Sequence, residues 1–361
     1  MTDPKTVVFA IFTLQGGGAE KFVLTLAQAF VQLGYQAHVV AFKKHIDHAS
    51  ASGIHCHFIP YRPLRALPKG RLRYWLAARL FDRHIRRHIG TPDLIVSNLW
   101  QVDQILHHSR LPNIVHVLHN TTSLDYQLNS KYPKASIAQL RYVYGKRPLI
   151  AVSRGVMLDY QQYIDGQARI TTILNPIARE HIRHLAQVDN VAYPSPYLIH
   201  VGRFSPQKDH ATLLRAYAAS HRLMPLLLLG QGKEENNCRR LVQELGIGEQ
   251  VIFVGFQANP YPLIAHASGF VLSSRYEGFG LVIAESLALG IPVISTDCPS
   301  GPNELLPPHC LVPVGDIAAL SAKMNELMQE LERFKTSFNE DLLPEKVAQR
   351  YLDWLQTCPV A

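Results

Sequence analysis

In SRYEGFGLVIAESLALG, Glu277 and Glu285 stand on either side of a glycine-flanked phenylalanine and an apolar run. GFVLSS ahead of them reads as a strand and the run after Gly280 as a helix, so the two carboxylates bracket a strand-to-helix turn. Gly278 and Gly280 let the backbone approach a ligand closely. The free N–H groups of Gly280, Leu281 and Val282 would point out of the helix end, a ready seat for phosphate. Carboxylates bind phosphate poorly but accept well from vicinal sugar hydroxyls. The competing account has Glu277 capping the helix and Glu285 on a solvated face.

A second stretch, GRFSPQKDH, sets Arg203 directly after a strand and Lys208 before a helix. Two cations there can neutralise a leaving diphosphate without a metal; ordinary loop solvation is the alternative. No Asp-x-Asp occurs, so a magnesium-bridged diphosphate has no obvious ligand pair. QGGGAE is not the GxGxxG of dinucleotide sites, which disfavours an NAD dehydrogenase, yet Gly17 and Gly18 can bring backbone N–H groups against a phosphate.

The elements that position these residues alternate. TVVFAIFTL (6–14) is β-branched and apolar, and the helical period of KFVLTLAQAFVQLG follows it. Further strands are expected at 37–42, 93–98, 113–120 and 148–153, with His55 and His57 on the face of another. A polar, proline-bearing stretch from ILNPI to 193–197 reads as a linker with a short helix. The scheme then restarts with strands at 197–202, 225–230, 251–255, 269–274, 291–296 and 310–314, and ends in an amphipathic helix, 346–358. Strands alternating with helices predict doubly wound parallel sheets, whose ligands lie at the carboxyl ends of the strands.

The chain has 361 residues, 47 % of them hydrophobic, enough for two cores. MTDPK lacks the apolar segment of a signal peptide, and no run reaches the roughly 20 apolar residues of a spanning helix. The 5 cysteines are scattered, which fits a reducing cytoplasm. Residues 1–175 carry 21 Lys and Arg against 9 Asp and Glu, a net +12, whereas the remainder carries 15 against 19, a net −4. That asymmetry directs an anionic ligand or surface to the first half. Of the 18 histidines, His84 and His88 are spaced i, i+4, but no third ligand joins them or the pair His55 and His57, so no metal is expected.

In order, GGGAEKFVLTLA, VLHN, ILNPI, VGRFSPQKDHATLLRAY, VIFVGF and SRYEGFGLVIAESLALGIPVISTDCPSGPNEL resemble the retaining GT-B glycosyltransferases of family four, from about residue 6 to residue 306. The resemblance implies two Rossmann-like sheets facing a central cleft. An acceptor-side domain would span 1–175, a nucleotide-sugar domain 176–343, and a helix at 344–361 would cross back. It also implies roles. Glu277 would meet donor-sugar hydroxyls, Glu285 the ribose, and Arg203 and Lys208 the diphosphate. The backbone of Gly278, Phe279, Gly280 and Leu281 would line sugar and phosphates. Gly17 and Gly18 would close over the donor, His119 would lie near the anomeric side of the sugar, and Phe256 would contact the base through its main chain. GQGKE (230–234) departs from the aspartate and proline common in the family, ILNPI replaces the more frequent asparagine–glycine turn at Asn175, and Glu304 in GPNEL is treated as structural.

The expected activity is transfer of a sugar from a nucleoside diphosphate, by family precedent UDP, to a glycan or lipid-linked acceptor. Retention, metal independence and the absence of a cofactor follow from the resemblance. Removing Lys208 or Glu277 is expected to lose activity without unfolding. A nucleotide-sugar epimerase of the same architecture is the rival enzyme. A polyanion-binding protein is the rival of another class, though no aromatic–basic RNA motif supports nucleic acid. Residues 65–90, rich in arginine with Tyr74, Trp75, Leu76, Leu80, Phe81 and Ile85 interleaved, are expected to rest on anionic lipid at the cytoplasmic face of the membrane. The alternative is a packing helix with a solvated cationic face.

Overall fold

In a computed structural model of the chain, residues 5–14, 17–43, 52–164, 169–188, 193 and 196–357 are described. Gln15 and Gly16 of QGGGAE, most of MTDPK, 189–192 and 194–195 of the expected linker, and Cys358 lie outside them. The chain forms two compact units, Met1–Pro176 with Asp341–Ala361, and Ile177–Glu340.

The first unit runs β1 (Thr6–Ile11), α1 (Gly18–Gln32), β2 (Gln36–Ala41), β3 (Ile54–Phe58), α2 (Arg71–His88), β4 (Leu94–Asn98) and α3 (Trp100–Leu106). It continues through β5 (Ile114–Leu118), α4 (Thr122–Asp125), α5 (Ile137–Tyr144), β6 (Leu149–Ala151), α6 (Arg154–Tyr163) and β7 (Ile170–Thr172). The second unit holds α7 (Arg179–Leu185), β8 (Leu198–Val201), α8 (His210–Ala219), β9 (Leu226–Leu229), α9 (Glu235–Glu244), β10 (Val251–Gly255) and α10 (Tyr261–Ala265). There follow β11 (Gly269–Leu272), α11 (Leu281–Ala288), β12 (Val293–Thr296), α12 (Pro302–Leu305), β13 (Leu311–Val312) and α13 (Ile317–Gln329). The last helix, α14 (Pro344–Thr357), returns to the first unit and packs on α1.

Both sheets are parallel throughout the described pairings. Their strand orders are β3-β2-β1-β4-β5-β6-β7 and β10-β9-β8-β11-β12-β13. Central strands such as β1 and β9 are buried at every position, as parallel strands covered on both faces must be. Each order reverses once, between β1 and β4 in the first sheet and between β8 and β11 in the second. The strand-end loops diverge there, and ligands of doubly wound sheets usually bind in the crevice between such loops.

The arginine-rich helix is α2. Its inner face buries Ala77, Ala78, Phe81 and Ile85 against the sheet, so part of the expected interleaved pattern is core. Arg73 and Asp82 are buried as well. Ser109 Oγ donates to Asp82 Oδ1 at 2.5 Å, and the Arg110 N–H donates to Oδ2 at 3.0 Å. Among the described residues, no helix is long and apolar enough to cross a membrane.

Candidate functional site

The crevice of the second unit lies between the loops that leave β8 and β11. Arg203 and Lys208 come from the first loop, Glu277 and the Gly278–Gly280 turn from the second. Lys208 Nζ donates to Glu277 Oε1 at 2.5 Å, and Ser274 Oγ donates to the same oxygen at 2.6 Å. Glu277 is only 6 % exposed, so its charge is held by this pairing and not by bulk water. The expected sugar ligand and one of the two expected phosphate cations therefore form an ion pair. Arg203, by contrast, is exposed and makes no hydrogen bond or ion pair among the described residues.

The two loops are tied by side chain and backbone. Ser273 Oγ donates to Lys208 O, Gln207 Nε2 to Tyr276 O, and Arg275 Nε to Asp209 Oδ2. Thr296 Oγ1, at the end of β12, donates to Ser274 O at 2.6 Å. Asp209 caps α8 from a left-handed conformation, φ 47°, its side chain accepting from Thr212 N.

Gly280 precedes α11 at φ 83°, the left-handed region that favours glycine, and no side chain caps the helix. The first N–H groups of α11 are thus left for a ligand or water, with the positive end of the helix dipole behind them. Gly301 is needed by contact: a Cβ there would overlap Phe279 O. Gly230 and Gly232, where GQGKE departs from the family pattern, press on Gly202 O and Phe204 O in the same way. The departure is a close backbone approach between the β8 and β9 loops.

Glu285 lies inside α11 and is 3 % exposed, not on a solvated face. Tyr261, at the start of α10, donates its hydroxyl to Glu285 Oε1 at 3.1 Å. Phe256 follows Gly255 (φ +82°) at the end of β10 and is 55 % exposed. Glu304 sits half-buried in α12. Beneath the crevice, His200 Nδ1 bonds Val271 O at 2.8 Å, and burial pushes this imidazole down to about 4.

The first unit places the other expected residues. Gly17 caps α1 and Gly18 begins it, in the loop after β1. His119 follows β5, and its Nε2 lies 2.9 Å from Oδ1 of Asn98, the last residue of β4. Asn175 is buried. Asn98, Ser274 and Tyr261 were not singled out by sequence; the only signal for Asn98 was a polar residue ending an apolar strand.

The paired histidines join a longer row. His38 Nδ1 lies 2.9 Å from His57 Nε2, and His57 Nδ1 lies 3.2 Å from His84 Nε2, so β2, β3 and α2 are linked by imidazoles. Among the described residues, no group of three or more His, Cys, Asp or Glu is placed to hold a metal ion. A cavity of about 300 Å³ in the same unit opens against the first turn of α2, between Arg71, Tyr74, Trp100, Gln104, Gln139 and Tyr142.

Residues 16–181 match Glycosyltransferase Family 4, and residues 185–338 match Glycosyl transferases group 1. The chain is 27 % identical over 313 residues to a Campylobacter jejuni N-acetylgalactosamine-N,N'-diacetylbacillosaminyl-diphospho-undecaprenol 4-alpha-N-acetylgalactosaminyltransferase, covering 82 % of this chain and 81 % of that one. It is 30 % identical over 215 residues to the lipopolysaccharide 1,6-galactosyltransferase of Escherichia coli K12, a match spanning 53 % of this chain and 56 % of the relative. In fold, it superposes on a sucrose-phosphate synthase from Thermosynechococcus elongatus with a TM-score of 0.80 at 20 % identity, covering 98 % of this chain and 100 % of the other. Anabaena HepE in complex with UDP and glucose gives 0.74 at 21 % identity, covering 98 % and 99 %. With both family regions matched in order, and two parallel sheets whose strand-end loops carry the acidic and basic residues, the chain belongs to the GT-B glycosyltransferases of the family 4, group 1 type.

Proposed function

We propose that this protein transfers a hexosyl or N-acetylhexosaminyl group from a UDP-sugar to a lipid-linked saccharide, with retention of anomeric configuration and without a metal. The carrying observation is the Lys208–Glu277–Ser274 cluster beside the uncapped start of α11, at the strand-order reversal of the second sheet. The diphosphate would sit on the first N–H groups of α11 with Arg203 beside it, and Glu277 and Glu285 would accept from sugar and ribose hydroxyls. The activities named for the Campylobacter and Escherichia relatives support a lipid-linked or lipopolysaccharide acceptor, and the Anabaena complex supports UDP.

The chemistry is one substitution. The bond from the anomeric carbon to the diphosphate oxygen breaks, and an acceptor hydroxyl oxygen bonds the same face of that carbon. The hydroxyl proton passes to the departing phosphate oxygen. Charge building on the diphosphate is stabilised by Arg203, Lys208 and the helix end, groups already oriented before reaction. The test is product analysis with UDP-galactose, UDP-N-acetylgalactosamine and a prenyl-diphosphate saccharide, with and without EDTA. The expected product keeps the donor's α configuration, and EDTA changes nothing. A β product, loss of turnover in EDTA, or epimerised donor formed without acceptor would each overturn the corresponding part.

The outer face of α2 supports peripheral attachment at the cytoplasmic face of the membrane. Leu72 is 63 % and Trp75 42 % exposed, Leu80 is exposed beyond them, and Arg83, Arg86 and Arg87 follow. Apolar side chains can enter the headgroup region while the guanidinium groups meet anionic lipid, each worth about 1 kcal/mol near the surface. Sedimentation with vesicles should rise with phosphatidylglycerol content and fall with salt; binding indifferent to both would sink the attachment.

A further inference from the structure

Asn98 and His119 fix each other's hydrogen positions. Asn98 ends β4, beside the strand-order reversal of the first sheet, and is fully buried. Its Nδ2 donates to Ala10 O at 3.2 Å and to Val96 O at 3.0 Å. Reversing the amide would set its oxygen against two carbonyl oxygens with no hydrogen between them, so chemistry decides the orientation. Oδ1 therefore faces Nε2 of His119, 2.9 Å away. An amide oxygen has no proton to give, so the ring donates, and the proton of the neutral imidazole lies on Nε2. Nδ1 then carries a lone pair.

Other contacts hold that state. Phe22 of α1 meets the ring edge-on, with 4.9 Å between centroids. Desolvation pushes the imidazole down to about 3, so it stays neutral and is a poor general base. His119 nevertheless keeps part of its surface exposed, and its Nδ1 makes no hydrogen bond among the described residues.

We propose that Asn98 is a positioning residue that locks His119 as the Nε2–H tautomer and so keeps Nδ1 an acceptor toward the sugar that the family resemblance sets beside this histidine. This rests on the glycosyl-transfer reading above. Three substitutions separate the parts. His119→Gln sets an amide where Nε2 stood and removes the Nδ1 acceptor. His119→Asn sets an amide near Nδ1 and can offer an oxygen there. Asn98→Ala removes the acceptor that faces Nε2–H without setting an oxygen against Ala10 O and Val96 O, so the ring proton is no longer confined to Nε2.

Long-range ¹⁵N–¹H spectra of the whole protein labelled at histidine, with His119 assigned through His119→Gln, locate the proton. Rates are measured with UDP-galactose, UDP-N-acetylgalactosamine and their monodeoxy analogues, for transfer and for donor hydrolysis without acceptor. The expected wild-type ring is protonated on Nε2 alone, and Asn98→Ala also populates the Nδ1–H tautomer; an Asn98→Ala ring still protonated on Nε2 alone overturns the lock. His119→Gln should lose about ten- to a hundredfold in kcat/KM, partly recovered in His119→Asn. If the hydroxyl is the donor's, one deoxy donor is penalised in wild type and not in His119→Gln. If it is the acceptor's, His119→Gln slows transfer and spares hydrolysis. A wild-type proton on Nδ1, or His119→Gln at wild-type rates in both reactions, overturns the inference. A wild-type protein that consumes no sugar nucleotide overturns the underlying reading instead, while the spectra still decide the tautomer.

Discussion

Lys208→Ala is expected to lose about 10² to 10³ in turnover, the usual cost of removing one preorganised electrostatic group. It should remain folded, as expected from sequence, but melt at lower temperature. Lys208 Nζ is the cation on Glu277, whose carboxylate is buried in the β11 loop. Removing one partner of a buried pair leaves the other uncompensated and costs about 3–5 kcal/mol in enclosed settings. Ser274 still donates to Glu277, which places this pair towards the lower end. Glu277→Gln separates the two effects, because it retains an oxygen for Lys208 and Ser274 but sheds the charge. It should lose turnover with a smaller shift in melting. Arg203→Ala should lose turnover with almost none, since that side chain is exposed. Kinetics and thermal melts of the three purified variants check this order. A Lys208→Ala protein with wild-type turnover would remove the cluster from the site.

The strands were legible in sequence because parallel strands between helices are almost wholly apolar. Their ends were less so, since the chain stays buried where it leaves the sheet. PLIAVS reads as strand through Ser153, but β6 stops at Ala151, and Ser153 instead accepts from Val156 N as the cap of α6. GFVLSS likewise stops at Leu272, and Ser273 and Ser274 turn their hydroxyls to Lys208 O and Glu277. Burial and strand are distinct properties that share one hydropathy signal. The strand β7 carries ITT, half-exposed at a sheet edge, and leaves no apolar run to find. The charged site residues were visible by type and by place in a strand–loop–helix unit. Their pairing was not: Lys208 and Glu277 are 69 positions apart, and only the adjacency of β8 and β11 brings them together. Asn98 shows the same limit, because its function depends on which carbonyls occupy its donors.

Acidification should destabilise the protein well before its ordinary carboxylates titrate. Burial holds His200 at about 4, and His210, stacked on Phe204, at about 2. His38 is pushed down to about 4 by burial and by His57 and His55, and His57 and His84 in the same row are also lowered. In the unfolded chain these rings take a proton near 6.5. A histidine with a depressed native value contributes stability that is fully present above 6.5 and is lost as pH falls towards that native value. At pH 5 the fully buried His200 alone forfeits on the order of 2 kcal/mol. Asp125 and Asp159 work the other way, since burial raises both carboxyls and native protonation then offsets some loss. They are two groups against eight lowered histidines among the described residues, His107, His108 and His119 included, and their window opens lower, near the carboxylate range. The thermal midpoint should therefore drop by about 5–10 °C between pH 7.5 and pH 5. His200→Asn or His38→Asn, if folded, should flatten the profile. A midpoint that holds or rises on acidification would mean that these rings admit protons in the native state, through water reaching β2, β3 and the floor of the second crevice.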